Sequence, residues 1–244
     1  MKDEKKILIT KDGKKFVFNG ADVHTQFGFI KKGDIAGAKP GQALFTNTGK
    51  EMFAVSASFI DLYNKMKQGP QIIPIKDIAK IVAFTGINSS SVVLEAGTGS
   101  GKLCCFLANI AKKVYSYEIR DDFFNIAKKN IEFLGLKNVV LKNKNIYDGV
   151  SEKGIDLAVF DLPEPWKAIA PVKNALKPGA FLVSYSPAVP QVMDFVDAVK
   201  NDKDFIYLTT FEIIEREWEV NARKVRPKSQ PIGHSGFLSF SRKI

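Results

Sequence analysis

Leu94-Glu-Ala-Gly-Thr-Gly-Ser-Gly101 decides the fold. It completes the apolar run that begins at Ser91 and leads into residues 101–111, whose apolar side chains recur at helical spacing. Three glycines at alternate positions let the backbone turn sharply and approach a ligand closely, and the amides opening the next helix point at that ligand. Spacing separates the cofactor classes that use such turns. A dinucleotide fingerprint needs Gly-x-Gly-x-x-Gly or Ala, and counting from Gly97 the sixth position is Lys102. A P-loop ends in Gly-Lys-Ser or Gly-Lys-Thr, and Leu103 blocks that reading. What remains is an acid, Glu95, two places before Gly97, and a second acid, Glu118, ending the strand-like run Lys113-Val-Tyr-Ser-Tyr-Glu118. A carboxylate in that register can accept both ribose hydroxyls of a nucleoside cofactor.

Outward from this turn the pattern alternates. Strands are predicted at 91–95, 113–118, 138–142, 155–160, 181–185 and 205–213, and helices at 75–85, 101–111, 122–134, 167–176 and 189–200. Such βαβα alternation predicts an α/β fold, a mainly parallel sheet with helices on both faces. Gly236–Ser241 is strand-like with no helix before it, so it can enter the sheet antiparallel. Ahead of residue 68 the runs are short and β-prone, at 7–10, 15–18 and 43–46, separated by turn residues such as Lys11-Asp-Gly-Lys14. The expected domains are therefore a basic N-terminal β domain, 1–67, and an α/β domain, 68–244.

The chain has 244 residues, 45% hydrophobic and 25% charged, enough to bury a core without disulfides or metal. Its two cysteines, Cys104 and Cys105, are adjacent and match no zinc spacing, so no metal is expected and a reducing, cytoplasmic setting is. No apolar stretch approaches the roughly 20 residues of a membrane span. Charge is uneven. Residues 1–67 carry 12 Lys and Arg against 7 Asp and Glu, residues 216–244 carry 7 against 2, and the middle balances. Basic clusters at both ends favour a polyanionic partner, with Lys14, Lys15, Lys32 and Arg223, Lys224, Arg226 and Lys228 as its grip.

The predicted strand 155–160 ends in Asp161-Leu-Pro-Glu-Pro-Trp166. Ligands in open α/β sheets lie at the carboxyl ends of strands, so Asp161 is expected in the crevice that holds the glycine turn. The two prolines make the following loop a rigid lip. Residues 94–101 resemble motif I of the class I S-adenosylmethionine (SAM) methyltransferases. Nearly the whole chain resembles the tRNA adenine-N1 methyltransferases that act at position 58 of the T-loop, above all their archaeal-type members. The likeness runs through Gln71-Ile-Ile-Pro-Ile-Lys-Asp77, the glycine turn, Ser116-Tyr-Glu-Ile-Arg120, the Asp161–Trp166 loop and the tail Arg226–Phe237. Three positions depart from the family. Pro74-Ile75 stands where an aromatic and proline are usual, Asn145 where aspartate is common, and Phe237 where tyrosine is.

The resemblance implies a class I SAM-methyltransferase sheet with a small N-terminal β domain, a homotetramer and a tRNA substrate. It implies SAM held by Gln71, Glu95, Gly97, Gly99, Ser100, Gly101, Lys102, Leu103, Glu118, Phe123, Asn145 and Asp161. Asp161 is the expected catalytic group, and Trp166, Arg223, Arg226, His234 and Phe237 are expected to meet the tRNA. Adenine N1 carries its lone pair in the ring plane and needs no deprotonation, so the site should supply orientation and negative potential rather than a strong base. Methylation at position 57 as well as 58 is left open. Two other readings compete: a SAM-dependent protein methyltransferase of the isoaspartyl type, and a tRNA-binding subunit without catalysis. The glycines, Glu118 and Asp161 weigh against the second, and the charged ends and proline-rich lip against the first.

Overall fold

A computed structural model describes residues 5–69, 72–230 and 232–244. The chain divides into two compact units, Met1–Met66 and Lys67–Ile244. The first contains β1 (Lys6–Ile9), β2 (Lys15–Val17), β3 (Val23–Thr25), β4 (Gly28–Ile30), α1 (Lys32–Gly37), β5 (Gln42–Phe45), β6 (Glu51–Ser56) and α2 (Phe59–Tyr63). Four of the strands form an antiparallel sheet, β2-β1-β6-β5, and β3 and β4 pair as a separate hairpin. The core is Leu8, Val23, Ile30, Ile35, Leu44 and Met52 with smaller neighbours. Lys6 extends its ammonium to the carbonyls of Ile35, Ala36 and Ala38 and so caps the end of α1, where unpaired carbonyls collect. Of these strands β1, β2 and β5 match the expected runs; β3 and β4 are too short to show alternation, and β6 and α1 were not expected.

The second unit runs α3 (Ile75–Thr85), β7 (Val92–Ala96), α4 (Lys102–Ala108), β8 (Lys113–Glu118), α5 (Asp121–Leu134), β9 (Val139–Asn143), β10 (Ile155–Phe160), α6 (Ile169–Val172), β11 (Leu176–Ser186), α7 (Val189–Asn201), β12 (Phe205–Glu212), β13 (Trp218–Asn221), β14 (Lys224–Pro227) and β15 (Phe237–Lys243). Its seven-stranded sheet has the order β12-β15-β11-β10-β7-β8-β9. The five strands from β11 to β9 are parallel, and β15 runs antiparallel between β11 and β12. Strands β7 and β10 are the most deeply buried, which explains their near-continuous apolar sequence. The order reverses at β7, so the crevice at its carboxyl end is the expected ligand site. Leu94, Phe160, Leu182, Phe195 and Val199 are among the side chains that fill the core on one face.

Two segments differ from expectation. The predicted helix at 167–176 is broken into 3-10 turns at Pro165–Ala168 and Lys173–Ala175 around the four residues of α6, because Pro165 and Pro171 each remove an amide donor. Residues 214–230, given no element from the sequence, contain the hairpin β13–β14, whose register places Trp218 opposite Pro227 and Val220 opposite Val225. Among the described residues no helix is long and apolar enough to cross a membrane.

Candidate active site

The carboxyl ends of β7, β8, β9 and β10 surround a cavity of about 440 Å³. Gly97, Gly99, Glu118, Phe123, Asn145 and Asp161, all singled out in the sequence, line it together. The turn is built from backbone bonds: the amides of Gly97 and Thr98 both donate to the Tyr117 carbonyl, and the Asp161 amide donates to Ala96. All three glycines of the turn have positive φ, the region that L side chains rarely adopt. They serve different ends. A Cβ on Gly97 would collide with the Asp161 carbonyl, a Cβ on Gly101 would press on Ala127 of α5 at 3.3 Å, and a Cβ on Gly99 would meet nothing. Gly99 is therefore the position where the backbone is bared towards the cavity.

Glu118 is held in place by two amides: its Oε2 accepts from Gly99 at 2.7 Å and its Oε1 from Arg120 at 2.9 Å. Each carboxylate oxygen has a second lone pair, so both ribose hydroxyls of an adenosyl group can still be accepted. Asn145 Oδ1 accepts from the Tyr147 amide at 3.0 Å and caps the 3-10 turn Ile146–Asp148, which fixes the side-chain amide with Nδ2 as its remaining donor. Arg120 lies 4.2 Å over the Phe123 ring, a cation–π contact that orients the aromatic wall. Adenosine-like dimensions, a paired carboxylate, an aromatic wall and a bared glycine fit SAM.

Acidic groups crowd beneath this cavity. Burial pushes Asp161 up to about 7, and the neighbouring Glu118 adds to the shift. Burial also pushes Glu95 up to about 8; the Ser116 hydroxyl, donating to its Oε2 at 2.5 Å, opposes this, while Asp161 and Glu118 reinforce it. Glu95 is completely enclosed, and its Oε1 finds no hydrogen-bond partner among the described residues. The loop after Asp161 is pinned from two directions, by Gln191 Nε2 to the Pro163 carbonyl at 2.9 Å and by the Tyr147 hydroxyl to the Glu164 carbonyl at 3.3 Å.

Other expected residues lie elsewhere. Glu95, Ser100, Gly101, Lys102 and Leu103 are buried in or beside the turn and do not line the cavity. Gln71 falls outside the described residues. Trp166 packs half-buried against the core of the second unit, which makes it a support for the lip before anything else. Arg226 and Lys224 both engage Glu219 and Lys228 engages Glu217, so of the expected tRNA grip on this hairpin only Arg223, at the turn, has no acidic partner among the described residues. His234 is not open to a base or phosphate through its ring nitrogens: Nδ1 meets Glu212 at 2.7 Å and Nε2 meets the Pro187 carbonyl at 3.0 Å. Its ring instead packs at a tilt of 49° against Phe237, with centroids 4.9 Å apart. Tyr117, Ile119, Arg120, Lys144, Tyr147, Leu162, Pro163 and Glu164 also line the cavity and were not anticipated. Their common signal is position, immediately after β8, β9 and β10.

This geometry agrees with what the chain resembles. The family model described as tRNA methyltransferase complex GCD14 subunit matches residues 63–235. A Methanocaldococcus jannaschii protein, tRNA (adenine(57)-N(1)/adenine(58)-N(1))-methyltransferase TrmI, is 32% identical over 97% of this chain and 94% of its own length. The Thermus thermophilus tRNA (adenine(58)-N(1))-methyltransferase TrmI is 32% identical over 91% of this chain and 89% of its own. Among solved structures, the tRNA (m1A58) methyltransferase TrmI of Aquifex aeolicus superposes with a TM-score of 0.83 at 27% identity, covering 99% of this chain and 97% of that one. A SAM-dependent O-methyltransferase of Thermotoga maritima gives 0.89 at 27% identity, covering 100% and 94%. The sheet is that of the SAM-dependent methyltransferases, and the chain belongs to the family of the tRNA methyltransferase complex GCD14 subunit.

Proposed function

We propose that this chain is a SAM-dependent tRNA (adenine-N1) methyltransferase acting at position 58 of the T-loop. The observation that carries the reading is Asp161, which ends β10 beside the glycine turn, lines the cavity and begins the proline-stiffened lip. When bound, SAM supplies a methyl group on a positively charged sulfur. As the bond from that carbon to adenine N1 forms, the carbon–sulfur bond breaks and its electron pair stays on a neutral thioether; the positive charge passes to the adenine ring. No proton has to leave N1 first. Asp161 accepts from the N6 amino group, which fixes N1 in line with the methyl carbon, and its negative charge favours the cationic ring that forms. The T-loop adenine must leave its stack to reach such a recessed acid. Phe237, packed against His234 and paired with Ser186 at the end of β11, is the aromatic group we assign to the flipped base.

We assign tRNA attraction to the basic N-terminal unit and to Arg223, and read the protein as a cytoplasmic homotetramer. One face of the β13–β14 hairpin presents Trp218, Val220, Val225 and Pro227, an apolar surface suited to self-association. Both cysteines are free and buried, in keeping with a reducing compartment. The deciding experiment incubates the protein with SAM and unmodified tRNA and digests the product for nucleoside mass spectrometry, with site mapping at positions 57 and 58. Tritium from labelled SAM appearing on protein in place of tRNA overturns this reading in favour of a protein methyltransferase, and a native mass other than four chains overturns the tetramer.

A further inference from the structure

One buried polar cluster outside the cavity joins two distant parts of the chain. Asp77, in the first turn of α3, is fully buried and accepts from the Lys76 ammonium at 2.8 and 2.9 Å. The same ammonium donates to Ser235 Oγ at 2.6 Å, and Ser235 Oγ donates to Asp77 Oδ2 at 2.8 Å. Tyr185, near the end of β11, donates its hydroxyl to the Ser235 carbonyl at 2.5 Å. Gly236 lies against that ring so closely that a Cβ would stand 2.5 Å from a ring carbon. Enclosing an ion pair carries a desolvation cost that apolar packing avoids, so the cluster is a poor choice if stability were its only purpose.

The sheet register shows what the cluster holds. Phe160 pairs with Ser184, so Asp161 and Tyr185 stand side by side one residue further along β10 and β11. Ser186 pairs with Phe237, so the strap that runs through Ser235 and Gly236 enters the sheet at the same edge. The Tyr185 hydroxyl is pushed up to about 12, mainly by burial, with Asp77 and Asp161 both adding to it, as expected of a phenol near both acids. The strap carries His234 and Phe237, and it is fixed at two successive residues: His234 by Glu212 and Pro187, and Ser235 by Asp77 and Lys76.

We propose that Asp77 is a positioning residue for methyl transfer: with Lys76 it grips Ser235, Tyr185 braces the same strap, and together they set the edge of the base pocket beside Asp161. This rests on the function assigned above and adds to it the residues that fix where the adenine is met. Asp77→Asn risks the fold by stranding a buried ammonium, so the hydroxyl at 235 is the better handle. Ser235→Ala removes the contacts to Asp77 and Lys76, and Ser235→Thr retains the hydroxyl. The measurements are kcat on unmodified tRNA, SAM dissociation constant by calorimetry, and melting temperature. The expected result is a fall in kcat of roughly tenfold or more for Ser235→Ala, a SAM affinity within about twofold of wild type, and recovery of most of the rate in Ser235→Thr. The inference is overturned if Ser235→Ala turns over like wild type, if alanine and threonine lose rate equally, or if SAM affinity falls as far as kcat. A wild type that transfers no methyl group to tRNA overturns the functional reading itself, and is told apart by the unsubstituted protein alone.

Discussion

The Asp161 carbonyl occupies the space in which a Cβ on Gly97 would have to stand. The glycine turn and the residue that follows β10 are therefore in direct contact, and the first glycine of the motif makes room for the neighbouring strand. Gly97→Ala should displace Asp161 and lower both melting temperature and activity. Gly99→Ala meets no neighbour but has a φ of +55°, a strain of about 1–2 kcal/mol, and it faces the cavity. It should leave the protein folded while weakening SAM binding about tenfold or more, read by calorimetry. Equal loss of stability in the two variants would contradict this division of labour.

Asp161 supplies a pH dependence. Its acid form dominates below about 7, because burial and Glu118 disfavour the charge that the proposed mechanism uses to stabilise the product. The rate of methyl transfer should fall as pH drops through about 7. Asp161→Asn should abolish that limb while retaining part of the rate through its amide oxygen, and Asp161→Ala should lose about a hundredfold or more in kcat with tRNA affinity little changed. Single-turnover rates across the range check it.

Glu95 gives a stability effect of definite sign. Its pKa is raised on folding, from the usual carboxylate range near 4.3 to about 8, so its contribution is greatest below the lower value and is lost as pH rises through the upper one. Glu95→Gln should therefore exceed wild type in melting temperature by a margin that widens from about pH 5 to about pH 8 and then stays constant. A constant gap across the range would show that the carboxyl does not titrate there.

His234 donates from both ring nitrogens when it meets Glu212 and the Pro187 carbonyl, which requires the imidazolium form. The Glu212 carboxylate, then the Pro187 carbonyl, hold its pKa above the usual value. Its contribution to stability is thus fully present below about 6.5 and is lost as pH rises through the raised value. A histidine resonance titrating above about 6.5, and absent in His234→Gln, is the expected NMR result.

Charge reversal should separate contact from scaffold. Lys15 is bonded to the nearly buried Asp61 at 2.6 Å, so Lys15→Glu should chiefly destabilise the N-terminal unit. Arg223→Glu, at an exposed turn without an acidic partner among the described residues, should leave melting unchanged and reduce the salt dependence of tRNA binding by about one counterion. Filter binding at several salt concentrations distinguishes the two.

The parallel core and its site were legible because one physical cause wrote both. Strands buried on two faces read as continuous apolar runs, such as Leu157–Phe160, and the residues that follow them are placed by the sheet whatever their own identity. That is why Glu118 and Asp161 could be assigned to one crevice from their places at strand ends, whereas Asn145 came to it only through the family resemblance. The hairpin β13–β14 was missed because its turn is made by Ala222 at φ +50°, where the usual signal is glycine or asparagine. The Asp77–Ser235 contact was not legible, since the two partners lie in separate motifs 158 positions apart and nothing in either motif pairs it with the other.

Strand β12 touches the sheet only through β15, although it precedes β15 in the chain. A nascent chain emerging from the ribosome can therefore complete β7 to β11 while β12 waits unpaired and β11 keeps an open edge. Insertion of β15 closes that edge, docks β12 and draws the Ser235 strap alongside Asp161 in one event. A chain cut short ahead of residue 237 would keep the residues that line its cofactor cavity yet leave the edge of β11 unpaired, the kind of bare strand edge that chaperones recognise.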